Sequence, residues 1–166
     1  MSTIIVTATE MACDGMGTTS WDRVETLSSK KIIQVGNVLY GFTGSSGLKQ
    51  AIIDWHSKGA AIPGDCPNLK DDDASWTLIV VTREGAAVYT SAVPYRRPID
   101  IPYGIGSGGD YALAAVLAGA DARRAIEIAS RLNTNTGGEI QVVNIAEALR
   151  SPIRKRRSSV SQQCFT

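Results

Sequence analysis

β-branched and other apolar residues crowd the first stretch, STIIVTAT, a density that predicts a buried strand. MACDGMGTT reads as the returning half of a hairpin, with Asp14-Gly15 as a turn signal, and KKIIQVGNVLYGFTG predicts two more strands around a Gly36-Asn37 turn. After GSSG the period lengthens: Leu48, Ile52 and Trp55 fall on one helical stripe, with Ala51 beside them. GAAIPGDCPNLKDDDAS is loop-like. WTLIVVTREGAAVYTSAV predicts a hairpin turning at Glu84-Gly85, and PYRRPIDIPYGIGSGG an irregular link ending in a short strand and a glycine cluster. DYALAAVLAGA and DARRAIEIASRLN predict helices, the second capped by Asp121 and striped by Ala122, Ala125, Ile126, Ala129 and Leu132. GEIQVVNI is a further strand, and RSPIRKRRSSVSQQCFT has no periodicity. Strands arriving in runs with short turns predict an α+β fold of largely antiparallel sheets with helices layered outside.

The 166 residues suit one domain, expected over 1–149, with 150–166 a basic, Ser-rich flexible tail. A net charge of +1 gives no reason to expect nucleic acid as a partner. No apolar run approaches the roughly 18 residues of a membrane span, and the start lacks a signal peptide's basic and apolar regions. Cys13, Cys66 and Cys164 are scattered, which predicts reduced thiols and a cytoplasmic setting. No metal or cofactor is expected.

Several familiar chemistries fit poorly. Gly104, Gly106 and Gly109 have the spacing of a dinucleotide fingerprint, but the flanking strands read as hairpins; a tight strand-to-helix turn is the better reading. Asp71 to Asp73 read as a solvated acidic run. The single histidine, His56, has no partner ligand, reads as a surface or capping residue, and is the only base available to a triad. A chain-terminal Ser or Thr needs no histidine, because its own α-amine, with an ordinary pKa of about 7.7–8.0, accepts the hydroxyl proton. A lysine nearby would keep that amine unprotonated, an acid would hold the lysine, and glycine amides would bind an oxyanion. Taken singly, Asp14 is more often a turn residue, Lys30 an exposed strand-start lysine and Ser107 a helix N-cap or turn hydroxyl.

STIIV, ACDG, SKKI, YGFTGSSG, IGSGGDYALAA and NTNTGGEIQVV, in that order, resemble the proteasome β-subunit and HslV-like family of N-terminal-nucleophile hydrolases, with gaps, from Ser2 to about Glu147. The resemblance implies a four-layer αββα sandwich and peptide-bond hydrolysis. It implies Ser2 as nucleophile and base once Met1 is removed, Asp14 and, sixteen residues on, Lys30 as the pair tuning the amine, and Gly44 as oxyanion donor. Ser107, Gly108, Asn133 and Thr136 would complete the site, and Phe42 and Ser45 would be substrate-binding. Implied partners are unfolded polypeptide, further copies of the chain in a ring or spiral, and an ATP-driven unfoldase.

The chain departs from the pattern in several places, among them an opening hairpin that reaches Asp14 in fewer residues. Ser2 stands for Thr, Asn133 and Thr136 stand for Asp and Ser, and there is room for only one long helix between Gly44 and Trp76. Two other readings therefore stay open. One is an inactive structural or assembly subunit; the other is an amidase acting on a small molecule.

Overall fold

The computed structural model describes residues 2–19, 23–59, 63–67 and 75–150. The expected tail (apart from Arg150), the acidic run and Cys164 lie outside the described residues. In chain order come β1 (Thr3–Val6), β2 (Glu10–Cys13), the short β3 (Gly17–Thr18) and β4 (Val24–Thr26), β5 (Ile32–Val35) and β6 (Val38–Thr43). Helix α1 (Ser46–Ser57), a 3-10 turn at Pro63–Asp65, β7 (Thr77–Thr82), β8 (Gly85–Thr90), β9 (Arg97–Ile99) and β10 (Tyr103–Gly106) follow. Helices α2 (Gly109–Leu117) and α3 (Ala122–Leu132), β11 (Gln141–Asn144) and the short α4 (Ile145–Ala148) complete the described chain. One sheet has the order β10-β1-β2-β11, the other β5-β6-β7-β8-β9, and β3 and β4 form a ribbon; every pairing is antiparallel.

The period of two along β1 explains both the apolar density of its sequence and the layering. Ile4 and Val6 meet Met11, Leu39, Ile79 and Val81 between the sheets. Ile5, on the opposite face, packs with Ala12 against Ala112, Ala125, Ile126 and Ala129 of α2 and α3. On the far side of the second sheet, Tyr40, Phe42, Leu78 and Val80 receive Leu48, Ile52, Ile53 and Trp55 of α1. The result is the four-layer αββα sandwich. Burial of each large apolar side chain in these three interfaces contributes about 1.5–3 kcal/mol, so both outer helix layers are integral to the core.

Helices α1, α2 and α3 are those the periodicity predicts, with local corrections, whereas α4 begins at Ile145, inside the stretch read as the last strand. Asp121 caps α3 by accepting a hydrogen bond from the Arg124 amide at 2.7 Å, but Leu132 in its last turn is 59% exposed, so the buried stripe ends at Ala129. In α1 the residue completing the buried face is Ile53, and Ala51 is exposed. The link before the glycine cluster contains β9, whose three residues, including a proline, carry too little apolar signal to stand out. Among the described residues between Gly44 and Trp76, α1 is the only α-helix. No helix among the described residues is long and apolar enough to cross a membrane.

Candidate active site

Asp14 organises the end of the sandwich where β1 begins. It follows β2 directly and has no solvent exposure. Its Oδ1 accepts hydrogen bonds from the Thr3 amide at 2.7 Å and Lys31 Nζ at 2.6 Å. Its Oδ2 accepts from the Met16 amide at 3.2 Å and the Gly137 amide at 3.1 Å. A buried carboxylate is tolerable only when its lone pairs are matched in this way. The return hydrogen bond, Asp14 amide to Thr3 carbonyl at 3.1 Å, fixes the start of β1 against the end of β2.

The lysine paired with Asp14 is Lys31, seventeen residues on, and not Lys30. Lys31 is 5% exposed; its ammonium also donates to the Met16 carbonyl at 2.7 Å. An ammonium has three protons, so one donor remains after these two bonds. Lys30 is exposed, and its carbonyl accepts a hydrogen bond from Lys49 Nζ at 2.8 Å. Neighbouring residues at a strand start face opposite ways, so a slip of one residue in spacing exchanges a buried ammonium for a solvated one.

The glycine cluster is the turn from β10 into α2, and it seats the first residues of the chain. The Ser107 amide donates to the Ser2 carbonyl at 2.8 Å, and Ser107 Oγ to the same oxygen at 3.4 Å. Gly106 has φ 87°, and a Cβ there would overlap the Ser2 carbonyl oxygen and lie 3.3 Å from Thr43 Cγ2. That position therefore requires glycine both for its backbone conformation and for the approach of Ser2. At Gly108 a Cβ would collide with the hydroxyls of Thr3 and Thr136. The fingerprint-like spacing thus reflects close packing against β1.

Thr3, which is not among the site residues the resemblance implies, is the second hub. It has no solvent exposure; its Oγ1 accepts from the Gly108 amide at 3.0 Å and lies 2.6 Å from Thr136 Oγ1. Thr136 Oγ1 donates to Asn133 Oδ1 at 3.3 Å, and Asn133 Nδ2 donates to the Ser107 carbonyl at 2.9 Å. With Thr136 donating onward, the Thr3 hydroxyl donates to Thr136, giving a one-way chain from Gly108 through Thr3, Thr136 and Asn133 back to Ser107. The asparagine amide fits this chain because it supplies both an acceptor and a donor. A threonine opening an apolar strand, with the strand period putting its side chain on the α2 side, was the available signal.

Gly44, at the end of β6, has φ 136°, and a Cβ would lie 2.8 Å from that of Trp76. Thr43, just before it, reaches the Ser2–Gly106 contact, so the end of β6 borders the same site. Ser45 is exposed and is the N-cap residue of α1, without a side-chain cap. Phe42 is 3% exposed within the apolar layer under α1, on the face of β6 opposite Thr43. Cys13, next to Asp14, is buried; burial pushes its thiol up to about 11, which keeps it protonated and no rival nucleophile. Among the described residues no group of three His, Cys, Asp or Glu side chains is placed to hold a metal ion. His56, near the end of α1, is half-buried and not a surface residue: Nδ1 lies 3.0 Å from Tyr40 Oη and Nε2 3.2 Å from Tyr89 Oη, apart from this site.

No protein-family model matches the sequence, and no curated protein matches it either. Solved structures do match the fold. Eukaryotic HslV from Trypanosoma brucei superimposes with a TM-score of 0.66 at 19% identity, covering 86% of this chain and 97% of that one. Thiobacillus denitrificans BPH in complex with epoxomicin gives a TM-score of 0.62 at 21% identity, covering 86% and 96%. BPH alone gives 0.61 at the same identity and coverage. At these identities the likeness establishes the fold alone, the four-layer αββα sandwich.

Proposed function

We propose that the chain is a proteasome-like peptidase in which Ser2, freed of Met1, is both nucleophile and base. The observation carrying this reading is convergence. Three otherwise unrelated features, the buried Lys31–Asp14 pair, the Gly106–Gly108 turn and the Asn133–Thr136 segment, all close on Ser2 and Thr3, where β1 begins. Thr3 is the less suitable nucleophile, because its hydroxyl is fully buried and engaged on both sides.

In the proposed reaction the Ser2 amine takes the proton of its own hydroxyl, and Oγ attacks the carbonyl carbon of the scissile peptide bond. The Gly44 amide is assigned to the oxyanion of the tetrahedral intermediate. The amine then passes its proton to the departing amine, leaving an ester on Ser2. Water activated by the same amine cleaves that ester. Lys31 contributes a fixed positive charge that holds the amine in its neutral form, and Asp14 holds Lys31. In keeping with the fold's relatives, the substrate is unfolded polypeptide, the working form is an oligomer of this chain in the cytoplasm, and an ATP-driven unfoldase is a candidate partner.

Hydrolysis of small fluorogenic peptides tests the reading, with Ser2→Ala as the control. Hydrolysis by the wild-type chain that disappears in a folded Ser2→Ala variant is the expected result. Equal rates in the two proteins would remove Ser2 from the reaction. No hydrolysis by a wild-type chain whose Met1 is gone would favour the inactive-subunit reading, motivated by the uncharged Asn133 in the hydrogen-bond chain.

A further inference from the structure

We infer that Gln141 is a positioning residue for the Lys31–Asp14 pair, an inference that rests on the proposed peptidase reading. β5 is an edge strand, hydrogen-bonded to β6 alone. Ile32 pairs with Gly41, and the flanking bond runs from the Phe42 amide to the Lys31 carbonyl at 3.0 Å. In an antiparallel ladder that arrangement makes Ile32 a non-hydrogen-bonded position, whose own N–H and C=O point outward from β6. Left unmet inside the sandwich, those two groups would each carry an uncompensated desolvation penalty.

The side chain of Gln141 meets both. Its Nε2 donates to the Ile32 carbonyl at 3.0 Å, and its Oε1 accepts from the Ile32 amide at 3.4 Å. The carboxamide thus acts as one residue's worth of neighbouring strand. The same Oε1 also receives the Cys13 thiol at 3.6 Å, and Gln141 is the register partner of Cys13 across β11 and β2. One side chain therefore grips the residue after Lys31, in one sheet, and the residue before Asp14, in the other. The two sheets share no backbone ladder, so this amide sets their spacing at the point where they deliver the two halves of the ion pair. A polar residue on the inter-sheet face of an apolar strand is otherwise costly, which accounts for glutamine in GEIQVV.

The test uses the full-length protein and Gln141→Leu, which keeps the volume and removes the amide. Expected are a kcat on a fluorogenic peptide reduced about 10- to 100-fold, KM within about twofold, and an acid limb of kcat/KM moved upward by about half a pH unit as the ammonium recedes from the amine. A lower Tm with kcat and the acid limb unchanged would overturn the inference, since a merely structural glutamine predicts that result. Should the leucine variant not fold, Gln141→Met, with a longer and more flexible chain, is read by the same criteria. If the wild-type protein does not hydrolyse peptides, the peptidase reading falls separately. The positioning role is then judged by a crystal structure of the variant. Lys31 Nζ still bonded to Asp14 Oδ1 as in the wild type would reject the role, and a separated pair would support it.

Discussion

Lys31→Met tests the electrostatic core of the site, with Lys30→Met as its matched control. Breaking a buried ion pair from one side costs about 3–5 kcal/mol, because the surviving charge is left in a poor solvent. In this site the surviving Asp14 keeps three amide donors, from Thr3, Met16 and Gly137. The lower end of that range, about 3 kcal/mol, is therefore expected for Lys31→Met. Adding Asp14→Asn removes the orphaned charge and should recover part of the loss. Urea unfolding followed by tryptophan fluorescence measures both changes. On activity, loss of the group proposed to keep the base neutral should lower kcat/KM by about a thousandfold or more. Lys30 is exposed and offers only its carbonyl to Lys49. Its replacement should change stability by less than about 0.5 kcal/mol and activity by less than about twofold. A Lys31→Met protein with wild-type activity, or a Lys30→Met protein without it, would remove Lys31 from the tuning of the base.

Three further outcomes are expected. Thr3→Val keeps the shape of the side chain but takes the acceptor from the Gly108 amide and the donor from the Thr136 hydroxyl, which keeps only its bond to Asn133, so unfolding free energy should fall by about 1–3 kcal/mol in a urea titration. Gly106→Ala puts a methyl group onto the Ser2 carbonyl at a φ of 87°; peptide hydrolysis should be lost even where circular dichroism shows a folded protein. His56, whose pKa is lowered by burial between two tyrosines, is charged more readily unfolded than folded. Its contribution to stability is full above the ordinary histidine value of about 6.5 and is lost as pH falls below that. Unfolding midpoints measured from pH 7.5 to 5.5 should therefore decline, and the decline should flatten in His56→Phe.

Much of the architecture is legible in the order of apolar segments. β1 and β6 to β8 are dense in β-branched or aromatic residues, and α3 has a clean stripe, because each packs on a broad apolar layer. Short elements such as β3, β9 and α4 escape notice because two to four residues carry no period. At the site, Ser2, Asp14, Ser107, Gly108, Asn133 and Thr136 come together. Lys31 was obscured by its neighbour: two consecutive lysines look equivalent until strand pairing decides which one turns inward. Thr3 and Gln141 were obscured for another reason. Their importance lies in backbone groups they satisfy across 105 and 109 residues, and no local pattern records a partner that distant.

The most direct test of the account is mass spectrometry of the purified protein before and after treatment with a peptide epoxyketone, which must bond to both a free amine and a hydroxyl on one residue to form its stable ring. The account predicts an intact mass lacking Met1 and a single adduct mapping to Ser2, absent in Ser2→Ala. A protein that has lost Met1, is folded, and yet takes up no reagent at Ser2 would contradict it.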